Sequence, residues 1–322
     1  MTRVTVIIAH QEKEPPLLDR ARVVSLGWGG HGLELIHVSG NMPSRQRNEA
    51  AQKAQGDILY FLDNDALPDA GNLERIIKVF ESDPEVAVCG GPSLTPEDDS
   101  LRQTCFGYVL SSFWGSAWMS ARYGRKGRPR VCTDRELILC NLTFRRDRFL
   151  QHNGFDEALY PNEENDLMDR IGDSGGKLFY HPGITVERSQ RRGFRAFFQQ
   201  LFGYGRGRSE QLRTDFRFGK LPLFAFAGLP VYLTALPFLA HSSLWFLFPL
   251  LFHFALDILF SLPLLVKRPA VFFIALPSFF FCHLFYGLGM WRGLFGKFRS
   301  AKVVSSAVKI RVIAAKRGPR SV

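Results

Sequence analysis

Three long apolar stretches, Leu221–Ala240, Leu244–Val266 and Ala270–Trp291, constrain this chain more than any other feature, with only Asp257, Lys267 and Arg268 charged between residues 221 and 291. Each is about as long as the roughly 20 residues that a membrane-crossing helix needs. All three contain proline, which membrane helices tolerate because neighbours re-satisfy the freed backbone groups. Three such stretches in succession exclude a wholly soluble protein, and the 46% hydrophobic content excludes a disordered or collagen-like one. Inside the region His253 and Asp257 are four residues apart, so they share a helical face. Ionisable groups at such depth serve either function or a structural hydrogen bond between helices.

Charge is distributed to match. The net charge of +11 hides an acidic region, residues 1–187, with 21 basic and 27 acidic side chains. Residues 188–220 carry nine basic and two acidic groups, and residues 292–322 carry nine basic and none acidic. Basic segments thus flank the apolar region on both sides, where they meet anionic lipid headgroups. Nucleic-acid binding, which predicts a basic face on the folded part, is not expected. Phe194–Tyr204, with apolar residues at 194, 197, 198, 201 and 202 and arginines nearby, reads as an amphipathic interfacial helix.

In the tail, Val304, Val308 and Val312 share one helical face and Lys302, Lys309 and Lys316 recur elsewhere on it, which predicts a helix lying on the membrane. Three full crossings would put that basic tail on the outer side, against the positive-inside rule. One apolar stretch is therefore expected to be re-entrant or interfacial. Five cysteines without a CxxC pair point to a reducing compartment, and Met1–Val6 enters a strand with no signal-peptide pattern.

Before the apolar region, Val- and Ile-rich runs at Arg3–Ala9, Leu33–Val38, Asp57–Leu62 and Val86–Val88 alternate with helix-compatible segments at Ser44–Gln55 (Ser44 as N-cap) and after Asp69. Leu137–Phe144 and Lys177–Val186 add strands, and Gly154–Arg170 reads as a turn and a short helix. Residues 92–135, rich in Gly, Ser and Arg, are expected to be an irregular, mobile segment. Alternation of this kind predicts a largely parallel α/β sheet with its site at the strands' carboxyl ends. The expected divisions are a catalytic domain 1–187, a basic interfacial segment 188–220, a membrane region 221–291 and a basic tail 292–322.

The sharpest local signal is Phe61-Leu62-Asp63-Asn64-Asp65, two carboxylates leaving the end of a buried strand. Hard oxygen ligands there suit Mg²⁺ or Mn²⁺ with a phosphate-bearing substrate, although Asp-x-Asp is also an ordinary strand-closing turn. Context is informative. The stretch from Arg47-Asn48-Glu49-Ala50-Ala51 to Asp63-Asn64-Asp65 resembles bacterial membrane-associated family 2 glycosyltransferases of the GT-A fold. So do the opening Val4–Ala9 strand, Gly154-Phe155-Asp156-Glu157 before Glu163-Glu164-Asn165-Asp166-Leu167, and Gln199-Gln200-Leu201-Phe202-Gly203-Tyr204-Gly205-Arg206-Gly207-Arg208.

The resemblance implies a Rossmann-like nucleotide-diphospho-sugar transferase domain followed by membrane helices. By it, Asp65, supported by Asp63, would hold a divalent cation (Mg²⁺ or Mn²⁺), and Arg47, Asp63 and Asp65 would bind the nucleotide-sugar donor. Glu164 would be the catalytic base, in a Glu-Glu pair where the family has Glu-Asp. Gln200 and Arg206 would border a lipid-linked acceptor. Two departures stand out: Val38-Ser39-Gly40 replaces the acidic end of the family's second strand, and Val186-Glu187-Arg188 stands where many members have a metal-binding histidine. The implied protein is an inverting, metal-dependent enzyme of cell-surface polysaccharide assembly, on the cytoplasmic face of a bacterial inner membrane. A non-catalytic membrane scaffold with the same fold is the alternative.

Overall fold

The computed structural model describes residues 2–28, 33–214, 225–296 and 308–315. Its first half runs β1 (Val4–His10), α1 (Arg20–Ser25), β2 (Glu34–Ser39), α2 (Pro43–Lys53), β3 (Ile58–Asp63), β4 (Leu67–Pro68), α3 (Asn72–Ser82), β5 (Val86–Gly90) and β6 (Ser93–Leu94). Then come α4 (Leu101–Ser111), α5 (Phe113–Ser116), β7 (Arg130–Val131), β8 (Asn141–Arg145), α6 (Arg146–Gln151), α7 (Glu163–Asp173), β9 (Lys177–Tyr180) and β10 (Val186–Glu187). The remaining elements are α8 (Phe194–Thr214), α9 (Ala225–Ser242), α10 (Phe248–Lys267), α11 (Pro269–Phe295) and β11 (Lys309–Ala315).

Among the described residues eight strands form one mixed sheet in the order β11-β2-β1-β3-β8-β5-β9-β7, and β4, β10 and β6 form a small second sheet. β1 lies parallel between β2 and β3, with Ala9 opposite Asp63. The continuous apolar runs of these three strands follow from burial on both faces. Ile8, Tyr60 and Leu62 pack on one side of the sheet, and Ile7, Phe61 and Phe144 on the other.

Several expectations need correction. Ser44 does not cap α2: Met42 occupies the cap position without a side-chain hydrogen bond, and Pro43, with its preset φ and missing N–H, opens the helix. Lys177–Val186 is not one strand, because a turn at His181–Ile184 divides β9 from β10, which join different sheets. Residues 92–135 are not an irregular segment. They hold α4, α5 and a 3₁₀ turn at Ala117–Arg122, with Cys105, Phe106, Val109 and Leu110 buried. Their apolar residues were scattered in the sequence because their partners lie about 170 residues away, on α11.

The tail also differs. Lys309–Ala315 is no helix but a strand, antiparallel to β2, with Lys309 opposite Ser39 and Ala315 opposite Glu34. The alternation Lys309-Ile310-Arg311-Val312 suits an edge strand, and pairing satisfies the backbone groups that β2 would otherwise leave open. Lys302, Val304 and Lys316 lie outside the described residues. The helix expected over Phe194–Tyr204 extends to Thr214.

Among the described residues three helices, Ala225–Ser242, the Leu244–Lys267 segment and Pro269–Phe295, are long and apolar enough to cross a membrane. α11 runs beside α8 at unusually short range. A Cβ at Gly289 would stand 2.1 Å from the Phe202 carbonyl oxygen, and one at Gly205 2.0 Å from that of Tyr286. Only glycine permits this backbone approach, the device by which apolar helices pack closely without a solvent-driven force. Farther along α11, Val271, Ala275, Phe279 and Cys282 pack with Phe106, Val109, Phe197 and Leu201.

Candidate active site

Asp63 ends β3, and the turn after it is pinned by Ala66 N–H donating to the Asp63 carbonyl (3.1 Å) and Leu17 N–H to that of Asn64 (2.8 Å). Arg47, buried on α2, donates through Nη2 to Asp63 Oδ1 (3.0 Å) and through Nη1 to Glu163 Oε1 (3.3 Å). Arg188, the residue after β10, reaches both acids of the pair: Nη2 lies 3.2 Å from Asp63 Oδ2 and Nε 2.7 Å from Asp65 Oδ1. One connected chain of charge thus runs from Glu163 through Arg47, Asp63 and Arg188 to Asp65. Burial alone would raise the Asp63 carboxyl, but the charges of Arg188 and Arg47 outweigh it and hold the group below the usual carboxylate range.

The two aspartates are therefore unlike. Both oxygens of Asp63 are engaged by guanidinium groups. Asp65 is 46% exposed, and its Oδ2 has no partner among the described residues. Those residues include no cluster of three His, Cys, Asp or Glu side chains placed to hold a metal ion. A hard cation of the Mg²⁺ type is commonly held by one or two carboxylates together with substrate phosphates and water. The free oxygen of Asp65 fits that pattern, whereas Asp63 fits the role of an arginine anchor. Glu187 points elsewhere, toward a cleft with Arg22, Asp69 and Arg125, and it is Arg188 that faces the carboxylates.

Asn48, next to Arg47, ties α2 to the segment before α7. Its amide donates to Phe155 O (2.8 Å) and accepts from Phe155 N–H (2.9 Å). Gly154 has φ +65° and no room for a Cβ, which would stand 2.4 Å from Asn48 Oδ1. The Arg-Asn and Gly-Phe-Asp motifs thus meet in space, although more than 100 residues separate them.

α7 opens with two different glutamates. Glu163 is 2% exposed, and burial, with the Glu164 charge adding and Arg47 opposing, pushes its carboxyl up to about 7. Its charged form is the disfavoured one. Stability from this group is present in full below the unfolded-state value and is lost as pH rises through about 7. A Glu163→Gln variant should accordingly melt above the wild type at pH 8, with the difference shrinking toward pH 5. Thermal unfolding in detergent across that range checks it, and a gap independent of pH would contradict it.

Glu164 instead lines a cavity of about 100 Å³. Asn165 Nδ2 donates to Glu164 Oε1 (3.1 Å), while Asn165 Oδ1 accepts from Arg122 Nη2 (2.6 Å). Arg122 and Arg208 line the cavity on its polar side, and Phe226, Cys282, His283 and Tyr286 from α9 and α11 form its far wall. Arg208 is buried and bonded to Asp134 (3.0 Å) and Gln211 (3.1 Å), and Gln211 in turn bonds Asp169 (2.8 Å) and Asn162.

Of the residues read from the sequence, the fold brings Arg47, Asp63 and Asp65 together and sets Glu164 at the cavity. Gln200 is not on that cavity. It accepts from Arg191 (3.0 Å), bonds Tyr204, and lines a smaller space beside Arg188. Arg206 is not on it either, standing 3.5 Å from both Glu210 and the Tyr160 carbonyl. Arg122, Arg188 and Arg208 were not singled out, since a sequence rich in arginine gives no sign of which ones turn inward.

A mixed α/β sheet whose third strand leads into this acid pair, with α7's acidic start joined to it through Arg47, is GT-A-like in fold. Residues 6–140 of the chain match the family described as Glycosyl transferase family 2. It is 27% identical over 177 residues to the Pre-mycofactocin glycosyltransferase of Mycobacterium tuberculosis, in strains CDC 1551 / Oshkosh and ATCC 25618 / H37Rv alike. That match covers 53% of this chain and 35% of each relative, so the chain spans about a third of the length of the curated relatives it matches. In fold it is similar to the mannosyltransferase PcManGT from Pyrobaculum calidifontis, solved in complex with GDP-Man and Mn²⁺. The TM-score is 0.50 at 16% identity, covering 91% of this chain and 87% of that one.

Proposed function

We propose that this protein is a membrane-associated, inverting glycosyltransferase that moves a sugar from a nucleotide-sugar donor to a hydroxyl group on a lipid-linked acceptor. The observation that carries the reading is the cavity that begins at Glu164 and ends among Phe226, Cys282, His283 and Tyr286, joining a carboxylate to the apolar helices. In this reading Asp65 holds a Mg²⁺ or Mn²⁺ ion through its free carboxylate oxygen, and the ion when bound supplies Lewis-acid stabilisation of the departing nucleoside diphosphate. Arg47 is kept extended by Asp63 and Glu163, ready beside the donor. Arg188 adds a second guanidinium suited to phosphate oxygens. Glu164 takes the proton of the acceptor hydroxyl as its oxygen attacks the anomeric carbon from the face opposite the leaving group. Arg122 and Arg208 line the acceptor path, with Gln200 and Arg206 at its border on α8. Anionic lipids meet the basic rim, and the proposed setting is cell-surface polysaccharide assembly at the cytoplasmic face of a bacterial inner membrane.

The test is transfer of radiolabel from a panel of nucleotide sugars into the lipid-extractable fraction of membranes holding the wild type or Asp65→Ala. Label that appears with one donor, requires Mg²⁺ or Mn²⁺ and falls at least about 100-fold in Asp65→Ala supports the reading. Label that survives Asp65→Ala removes the cation from that carboxylate. No label from any donor, with native lipid extract supplied, favours a scaffold that keeps the fold without the chemistry.

A further inference from the structure

Length and composition allow α9, α10 and α11 to cross a bilayer, but their attachments to the catalytic domain do not. α11 touches that domain along its whole length. At its start Arg268 Nη1 lies 3.5 Å from Thr104 Oγ1 of α4. In its middle Cys105 Sγ faces Ser278 Oγ (3.6 Å) and Cys282 Sγ faces the Gly115 carbonyl (3.6 Å). At its end Arg213 Nη1 donates to the carbonyls of Gly293 (3.0 Å) and Gly296 (2.8 Å). α8, which carries Arg195, Arg206, Arg208, Glu210 and Arg213, is too charged to sit in hydrocarbon. A helix clasped from end to end by α4 and α8 lies beside the catalytic domain rather than reaching away from it.

The other two helices are held nearly as far. On α10, Trp114 Nε1 donates to Asp257 (2.7 Å), its ring packs edge-on against His253 (centroids 5.1 Å), and Tyr108 Oη donates to the Phe260 carbonyl (2.7 Å), so residues 248–252 project beyond α4 and α5. On α9, Trp291 Nε1 donates to the Ala227 carbonyl (2.7 Å) and Gly287 backs onto Phe226, leaving residues 231–242 beyond that attachment. At 1.5 Å per residue these reaches are about 8 and 18 Å, against a hydrocarbon core of about 30 Å. The turn itself is His241-Ser242-Ser243, but the side chains around it are apolar: Phe238, Leu244 and Trp245 are 80%, 75% and 83% exposed, and no Asp, Glu, Lys or Arg lies between Ala225 and Leu256. A tip standing in water on the far side would leave these large apolar side chains facing solvent. Finally, β11 follows α11 and pairs with β2, so the chain after the last apolar helix is on the same side as the chain before the first.

We propose that the apolar helices form a monotopic platform: they enter one leaflet from the side of the catalytic domain, the α9–α10 hairpin dips to about mid-bilayer, and no segment crosses. The occupant of the exposed apolar face is lipid. The inference rests on the membrane-associated reading and narrows it.

Single cysteines tested in sealed membrane vesicles with a membrane-impermeant maleimide decide it. The full chain carries Lys53→Cys on the catalytic domain, Lys309→Cys on the tail strand, or Leu244→Cys at the hairpin tip, with His241→Cys as a second tip position. All four native side chains are exposed. The native cysteines, buried except for half-buried Cys132, set the background. Labelling of positions 53 and 309 from the same face, with 241 and 244 protected from both faces until detergent is added, is the expected result. Tip labelling from the face opposite position 53 would establish a crossing hairpin and overturn the proposal, as would opposite faces for 53 and 309. Tip labelling from the same face as 53 would show that the hairpin is not in lipid. A chain found in the soluble fraction would remove the membrane reading itself.

Discussion

A Glu164→Gln variant should transfer sugar about 10²–10⁴-fold more slowly than the wild type, the usual contribution of a positioned general base. Its KM for the donor should move less than about twofold, because the lost function is exercised only as the acceptor hydroxyl gives up its proton. Glutamine keeps the volume and can still pair with Asn165, whose amide donates to Glu164 Oε1 at 3.1 Å, so folding is not the variable. Steady-state rates with donor and acceptor varied separately distinguish the outcomes. A rise in donor KM at constant kcat would move Glu164 from proton transfer to donor binding. The neighbouring glutamate is the internal control. Glu163 is buried against Arg47 and does not line the cavity, so Glu163→Gln should leave the rate far less changed.

Removing the guanidinium in Arg208→Ala should cost about 3–5 kcal/mol of stability, among the largest single-residue effects in the molecule. Arg208 and Asp134 are both almost without solvent, at 3% and 7% side-chain exposure. The alanine variant deprives Asp134 of a cation at 3.0 Å and also loses the bond to Gln211. A double replacement, Arg208→Met with Asp134→Leu, should recover much of the loss, since well-packed apolar groups replace buried ion pairs at little cost. Denaturant titration in detergent micelles measures both. A cost under about 1 kcal/mol for Arg208→Ala would place the pair among ordinary surface bridges. Activity should fall too, because Gln211 and Asn162 connect Arg208 to the first turn of α7, where Glu164 sits.

The strands and acids could be read in the sequence because their causes are local. A run such as Ile58–Leu62 is buried on both faces, and Asp63 and Asp65 follow it directly, so pattern and position appear together. Asn48 and Gly154 were legible as motif residues, although nothing local said that each exists to hold the other. What sequence reasoning missed is long-range. The acidic chain's counter-charges come from Arg47 and Arg188, 16 and 125 residues from Asp63, and spacing cannot single out Arg188 among its arginine neighbours. α4 looked irregular because its apolar face is complementary to α11 and to nothing nearby in the chain. The tail's valines fit a helical face and a strand equally well over a few turns, and the open edge of β2 decided for the strand.

The tail strand has a mechanical consequence. A catalytic domain joined to a membrane by one linker swings like a flag on a pole, and its distance from the lipid varies with every swing. Here the last apolar helix is seamed to α4 and α8, and the tail strand is paired to the β2 edge of the sheet. A seam that runs the length of a helix resists the rocking that a single linker permits. On the monotopic reading proposed above, the height of Glu164 above the lipid would then be built into the fold, and the protein would work as a gauge, accepting only a hydroxyl carried at that one height.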